Sequence, residues 1–184
     1  MLRRHMGKNV ILFGVFGTAL AIGLIVLGLN VRAPHSFRQP LDMADPGAEL
    51  RTVLVYYVET DSLRLVPRPR EVTAEAGRRG MMSDLVSYLS RSEGSYEAPL
   101  PEGTQLLHYF EADPGSVVLD LSATVTNLGA RSIDEERLRL TALARTVGEN
   151  MDGVKRIRLL VLGTPLERWG RHLDPGPWVN VDQW

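Results

Sequence analysis

Residues 9–31 read NVILFGVFGTALAIGLIVLGLNV, 23 consecutive positions without a charged side chain. At about 1.5 Å of rise per residue, a helix over this run reaches roughly 35 Å, enough to cross a hydrocarbon core with some tilt. Backbone amides inside lipid must be paired within the segment, so the run is expected to be helical despite its glycines. Arg3, Arg4 and Lys8 precede it, whereas Arg32 and Arg38 follow and are soon joined by Asp42 and Asp45. That bias favours a cytoplasmic N-terminus. The expectation is a single-pass protein of the bacterial inner membrane: residues 1–8 cytoplasmic, 9–31 spanning, and the rest extracytoplasmic or periplasmic. A cleaved signal peptide is the competing reading, because Val31-Arg32-Ala33 fits a processing site. The length of the run and Pro34 just after the cut oppose it. Gly17-x-x-x-Ala21 and Ala19-x-x-x-Gly23 are small-residue pairs of the kind that let two such helices approach.

Composition closes off several classes of function. The chain has no cysteine, which excludes disulfide scaffolds, thiolate metal sites, a Cys nucleophile and a lipidated cysteine. A formal net charge of -1 gives no polycationic surface for nucleic acid. Lys8 and Lys155 are the only lysines among many arginines, which reads as bacterial genome bias.

Residues 32–49 hold Pro34, Pro40, Pro46 and Gly47 without apolar periodicity and read as a linker. A domain begins at residue 50. Residues 51–58 (RTVLVYYV) are apolar on both faces, as in a buried strand, and 63–67 form a short second strand. A helix over 74–91 carries Met82, Leu85, Val86 and Leu89 on one stripe. Strands at 105–111 and 116–122 flank the turn Asp113-Pro114-Gly115. Ser132-x-x-Glu135 is a capping box that opens a second helix, whose stripe is Leu140, Leu143, Ala144, Val147 and Met151. On this phase Leu143 and Val147 face the sheet side bearing Val117 and Leu119, and Arg139 faces solvent. Residues 154–162 make the last strand. The predicted fold class is α+β: two helices on one small mixed sheet in a two-layer domain, order β-β-α-β-β-α-β, spanning 50–174. Residues 175–184 are expected to be a Trp-rich tail, with Asp174-Pro175-Gly176-Pro177 as a hinge.

Taken together, residues 53–173 resemble the GerMN domain family, the GerM-type sporulation and germination module. Leu54-Val55-Tyr56-Tyr57 resembles its opening strand, and Leu65-Val66-Pro67 with Arg70 its hairpin exit. Leu100-Pro101-x-Gly103-Thr104 resembles its Pro-x-Gly-Thr turn, and Asp120-Leu121-Ser122 its Asp-Leu-Ser strand end. Ala144-x-Thr146 and Asp152-Gly153-Val154 resemble the second helix and its exit. Ser92-Glu93-Gly94-Ser95 stands where the family has a Gly-Pro pair, and Gly170-Arg171-His172-Leu173-Asp174 approximates a Gly-His segment. The resemblance implies a secreted or membrane-tethered binding module. It also implies a fold-level likeness to ring-building modules of sporulation channels, which pack helices against a neighbour's sheet. Fold alone does not fix function.

Chemistry-bearing constellations are sparse. His108 and His172 lack a partner at metal-ligand spacing, and no phosphate-binding glycine loop or nucleophile elbow occurs. Asp120 and Ser122 are expected to pin a turn through side-chain-to-backbone bonds. Glu135 and Glu136 are expected to favour the helix dipole. No catalytic, metal or cofactor residues are assigned, and no cofactor is expected. The candidate interaction surface is Trp169, His172, Trp178 and Trp184, with Trp169 also read as sheet cover. The expected partners are the membrane, through one helix, and a protein partner or a second copy, with no nucleic acid. The alternative is an envelope enzyme or regulator, related to peptidoglycan, that uses His172, Asp120 or Ser122.

Overall fold

The computed structural model describes residues 49–59 and 61–183. The expected membrane helix, the linker and Trp184 lie outside the described residues. Among the described residues no helix is long and apolar enough to cross a membrane.

The domain opens with a hairpin, β1 (Leu50–Glu59) against β2 (Arg64–Thr73), paired without interruption from Leu50↔Thr73 to Glu59↔Arg64. Helix α1 (Gly77–Leu89) and the two-residue β3 (Tyr96–Glu97) follow. Next come β4 (Leu106–Glu111), β5 (Ser116–Leu121) and helix α2 (Ile133–Asn150). The last elements are β6 (Arg156–Val161), β7 (Thr164–Pro165) and β8 (Val179–Asn180). The α+β class agrees with the sequence pattern, and the expected elements occur in their expected order, but β3, β7 and β8 are added to them and there are two sheets, not one. The first is antiparallel, β2-β1-β3. The second is mixed, β4-β5-β6-β7, with β8 also on β6. The β5–β6 pair is parallel, so α2 is the crossover that parallel pairing requires. Tyr57, Leu85, Leu119, Leu143 and Ile157, drawn from both sheets and both helices, sit in a single apolar cluster.

The second strand runs six residues beyond its expected end at Pro67. The Leu54 N–H donates to Asn150 Oδ1 at 2.9 Å, and its carbonyl accepts from Asn150 Nδ2 at 2.7 Å. Both groups therefore point away from β2. Leu54 pairs with Pro69 and Tyr56 with Pro67, so each proline holds a position where no N–H is needed for the ladder. Strand β1, expected to be covered on both faces, buries Val53, Val55 and Tyr57, whereas Leu50 and Leu54 on the opposite face stay exposed. Val58 on that same face is buried, and Tyr56 lies 6.0 Å from the Arg145 guanidinium of α2. Helix α2 meets β1 at its edge: Asn150 clamps Leu54, and Thr146 Oγ1 accepts the Tyr56 N–H at 3.0 Å.

The expected stripe of α2 is buried, with Leu140, Leu143, Ala144, Val147 and Met151 in the core. A second buried stripe lies beside it: Glu135, Arg139, Ala142, Thr146 and Asn150. Arg139, expected in solvent, is 4% exposed. Its guanidinium bonds Glu135 at 2.8 Å, Glu97 at 2.7 Å and the Ala98 carbonyl at 2.8 Å. The helix presses its polar flank against β3 and the following loop, which sets the charge inside.

The tail expected over 175–184 is part of the second sheet. Val179 pairs with Ile157, Asn180 with Arg156, and Val179 and Val181 are buried. The Asp174-Pro175-Gly176-Pro177 segment is a turn closed by the Gly176 N–H on Asp174 Oδ1 at 2.7 Å. It leads the chain back to β6 and does not project it outward.

Candidate functional site

The first turn of α2 builds the most elaborate polar centre of the domain. Ser132 caps the helix, its hydroxyl accepting the Glu135 N–H at 3.2 Å. Glu135 reaches back to the Arg131 N–H at 2.9 Å, one residue earlier than in the expected box. The next residue, Glu136, has a fully buried side chain. Its carboxylate accepts backbone N–H bonds from Arg171 at 2.7 Å, His172 at 3.0 Å and Leu173 at 2.8 Å. The His172 Nδ1 lies 3.0 Å from Oε1 of the same carboxylate. Burial opposes the charged form, but the three backbone donors and the His172 side chain outweigh it and hold the carboxyl below its ordinary value. The helix N-terminus adds favourable dipole.

Gly170 is what allows this loop to wrap the carboxylate. Its φ of 75° suits glycine, and a Cβ there would meet Glu136 Oε1 at 2.5 Å. Trp169 is buried and donates its indole N–H to the Glu136 carbonyl at 2.9 Å. It is core. His172 keeps a half-exposed ring. That ring borders a cleft of about 490 Å³ shared with Arg131, Arg171 and Asn127.

The other candidates are dispersed. Asp120 is buried and pairs with His108 Nδ1 at 2.9 Å, not with His172, while its other oxygen accepts the Gly163 N–H at 2.8 Å. Burial opposes its charge, and the Gly163 N–H and His108 together keep its carboxyl below the usual range. Ser122 Oγ accepts the Gln105 N–H at 3.0 Å. Asp120 and Ser122 thus pin loops, and no hydrogen bond joins either of them to His172, the third residue of the enzyme alternative. Trp178 is half-buried beneath the Arg156 guanidinium, 4.5 Å from its ring centroid, with Arg158 at 6.0 Å. Arg156 is itself fixed by Ser116 Oγ at 2.7 Å. Among the described residues no cluster of His, Asp and Glu suits a metal ion.

Glu136 carries the centre, and sequence reasoning passed over it as a dipole residue. A signal was present: Glu136 precedes Leu140 by four and Leu143 by seven, so it occupies the apolar stripe of its own helix. A charge at such a position must be paired within the fold.

The family model described as "Germane: Sporulation and spore germination" matches residues 54–167, more than half of the chain. Among solved structures, the tandem GerMN domains of the sporulation protein GerM from Bacillus subtilis superpose with a TM-score of 0.53 at 13% identity, over 66% of this chain and 42% of that one. The first GerMN domain of the same protein gives a TM-score of 0.52 at 14% identity, over 65% of this chain and 88% of that one. The chain thus spans less than half of the tandem-domain protein. At these identities the likeness is one of fold. No curated protein matches in sequence.

Proposed function

Because this chain belongs to the Germane family of sporulation and spore germination domains, we propose that it is a non-catalytic interaction and assembly module of the bacterial cell envelope. Residues 9–31 tether it to the inner membrane, with the N-terminus in the cytoplasm and the domain outside. One observation carries the non-catalytic reading: the groups that chemistry would draw on are engaged in holding the backbone. Glu136 binds three consecutive N–H groups, Asp120 holds the Gly163 turn, and Ser122 holds Gln105. A general base needs a free lone pair within reach of substrate, and these side chains are committed elsewhere.

The alternative is an envelope enzyme or regulator acting on peptidoglycan. It draws support from the Glu136–His172 pair, since a carboxylate-oriented imidazole at the border of a cleft is half of a general-base device. Alanine at His172 separates the two readings. In the full chain, the variant should fold and recover the same partners from membranes as the unaltered protein. Loss of a peptidoglycan-modifying activity with fold and partners intact would overturn the module reading. For the tether, a reporter active only outside the cytoplasm, fused after residue 184, should be active in a salt-washed membrane fraction. A released fragment beginning at Pro34 would replace the anchor with a signal peptide.

A further inference from the structure

A sheet edge is a template for another strand unless it is blunted. In this domain the long edges are blunted by identifiable means. On β2, Pro67 and Pro69 remove outward N–H groups, and the Glu71 carbonyl is taken by the Tyr88 hydroxyl at 2.8 Å. On β1, Asn150 and Thr146 occupy the inner edge. Strands β3, β7 and β8 have two residues each. The outer edge of the six-residue β4 is different at its far end: it ends its sheet and contains no proline, and the Arg79 guanidinium of α1 donates to it at the Leu107 carbonyl, at 3.5 Å, ahead of Tyr109–Glu111. The Ala112 N–H donates to Ser116 O, which fixes the alternation along the hairpin. Phe110 and His108 therefore direct their backbone groups to β5, and Tyr109 and Glu111 direct theirs outward. Among the described residues, no strand pairs with that edge.

We infer that this edge of β4 joins a second copy of the chain, antiparallel, about a two-fold axis through Phe110. The inference rests on the interaction-module reading and names its partner. With the axis at Phe110, Tyr109 of each copy faces Glu111 of the other, and both residues present the N–H and C=O that such a pair exchanges. Phe110, 52% exposed, meets its own counterpart at a non-hydrogen-bonded position, where side chains come closest. The His108 ring already stacks on Phe110, with centroids 5.9 Å apart, so the aromatic row continues across the axis. Charge is complementary as well. Arg78 binds Glu111 at 2.6 Å and contacts the Tyr109 hydroxyl at 3.4 Å, so each Glu111 faces a tyrosine backed by an arginine and not another carboxylate. The contact is short, and tethering to one membrane supplies the effective concentration that such a contact needs.

The absence of cysteine makes the test direct. Residues opposed at a non-hydrogen-bonded antiparallel position have Cα atoms about 4.5 Å apart, within disulfide reach. In membranes containing the full chain, Phe110→Cys should give a disulfide-linked homodimer on mild oxidation, shown by two tag lengths in one dimer. Leu63→Cys and Leu162→Cys, also exposed, should stay monomeric. Phe110→Lys should lower chemical crosslinking of the otherwise unaltered chain at least several-fold. Failure of Phe110→Cys to exceed the two controls, or equal dimer from all three, overturns the proposal. If the dimer fails while a different protein is still captured, only the identity of the partner is lost. If neither is found, the module reading falls too.

Discussion

Glu136 shows how a single charge can organise a chain segment. Its carboxylate binds Arg171, His172 and Leu173 through their backbones, so removing it strands several buried donors at once. Each unsatisfied buried donor costs about 1–3 kcal/mol. Glu136→Ala should therefore destabilise by at least about 3 kcal/mol in chemical denaturation, and Gly170→Ala should be damaging because its Cβ enters the same space. Three buried carboxyls, Glu136, Asp120 and Glu135, are held below their ordinary values. Burial opposes the charge at each, and N–H donors together with neighbouring His or Arg side chains overcome it. A depressed carboxyl contributes its stability above its unfolded pKa, about 4, and loses it as pH falls through the folded value. Melting temperature should thus hold steady down to about pH 5 and drop below about pH 4, with a smaller drop in Glu136→Gln. A melting temperature unchanged from about pH 7 to about pH 2 would contradict this. At Arg139, alanine leaves Glu135 buried without its guanidinium, which costs about 3–5 kcal/mol. The exposed Arg137 should tolerate alanine within about 0.5 kcal/mol, and equal effects would mean that Arg139 is not internal.

At the scale of elements, α2 is packed on more than one side, and only its apolar side was legible beforehand. Periodicity finds residues that avoid water, so Leu140, Leu143 and Val147 were readable and are buried. It is silent about Arg139, Thr146 and Asn150, which are inside because a strand edge or a carbonyl lies opposite them. That information belongs to the partner, not to the helix. The prolines of β2 misled for a similar reason: whether a missing N–H matters depends on which way the residue faces in the ladder. Loop 170–173 only approximates its family segment in sequence, and its role depends on Glu136, which lies beside it in the fold but more than thirty positions away in the chain. Two substitutions test the helix. Leu143→Ala should cost about 2–5 kcal/mol through the cavity it leaves. Asn150→Ala leaves the Leu54 N–H and carbonyl without partners, so it should destabilise by about 1–3 kcal/mol and raise aggregation in light scattering. If Asn150→Ala stays fully stable, the clamp is decorative.

For the whole molecule, β8 decides what counts as the domain. Val179 and Val181 are buried, and a Cβ on Gly148 of α2 would lie 3.0 Å from Val181. Deleting residues 177–184 removes β8, both valines and Trp178 from beneath Arg156. The truncated chain should melt well below the full one and be more sensitive to protease; an unchanged melting curve would restore the picture of a separable tail.

The clamp on β1 also has a consequence in time. Leu54 and Asn150 are 96 positions apart, and Tyr56 and Thr146 are 90 apart. At about 5–20 residues per second of synthesis, hairpin β1–β2, complete at Thr73, waits roughly 4–15 s before α2 has been made to Asn150. Throughout that interval its outer rim already carries its own protection, because Pro67 and Pro69 are made with the hairpin. The inner rim gains β3 at Val58 and Glu59, and is open at Leu54 and Tyr56 until the helix arrives. A nascent chain is therefore vulnerable along one side only, and a holdase or export factor that shields Leu54 and Tyr56 covers the whole liability of the hairpin.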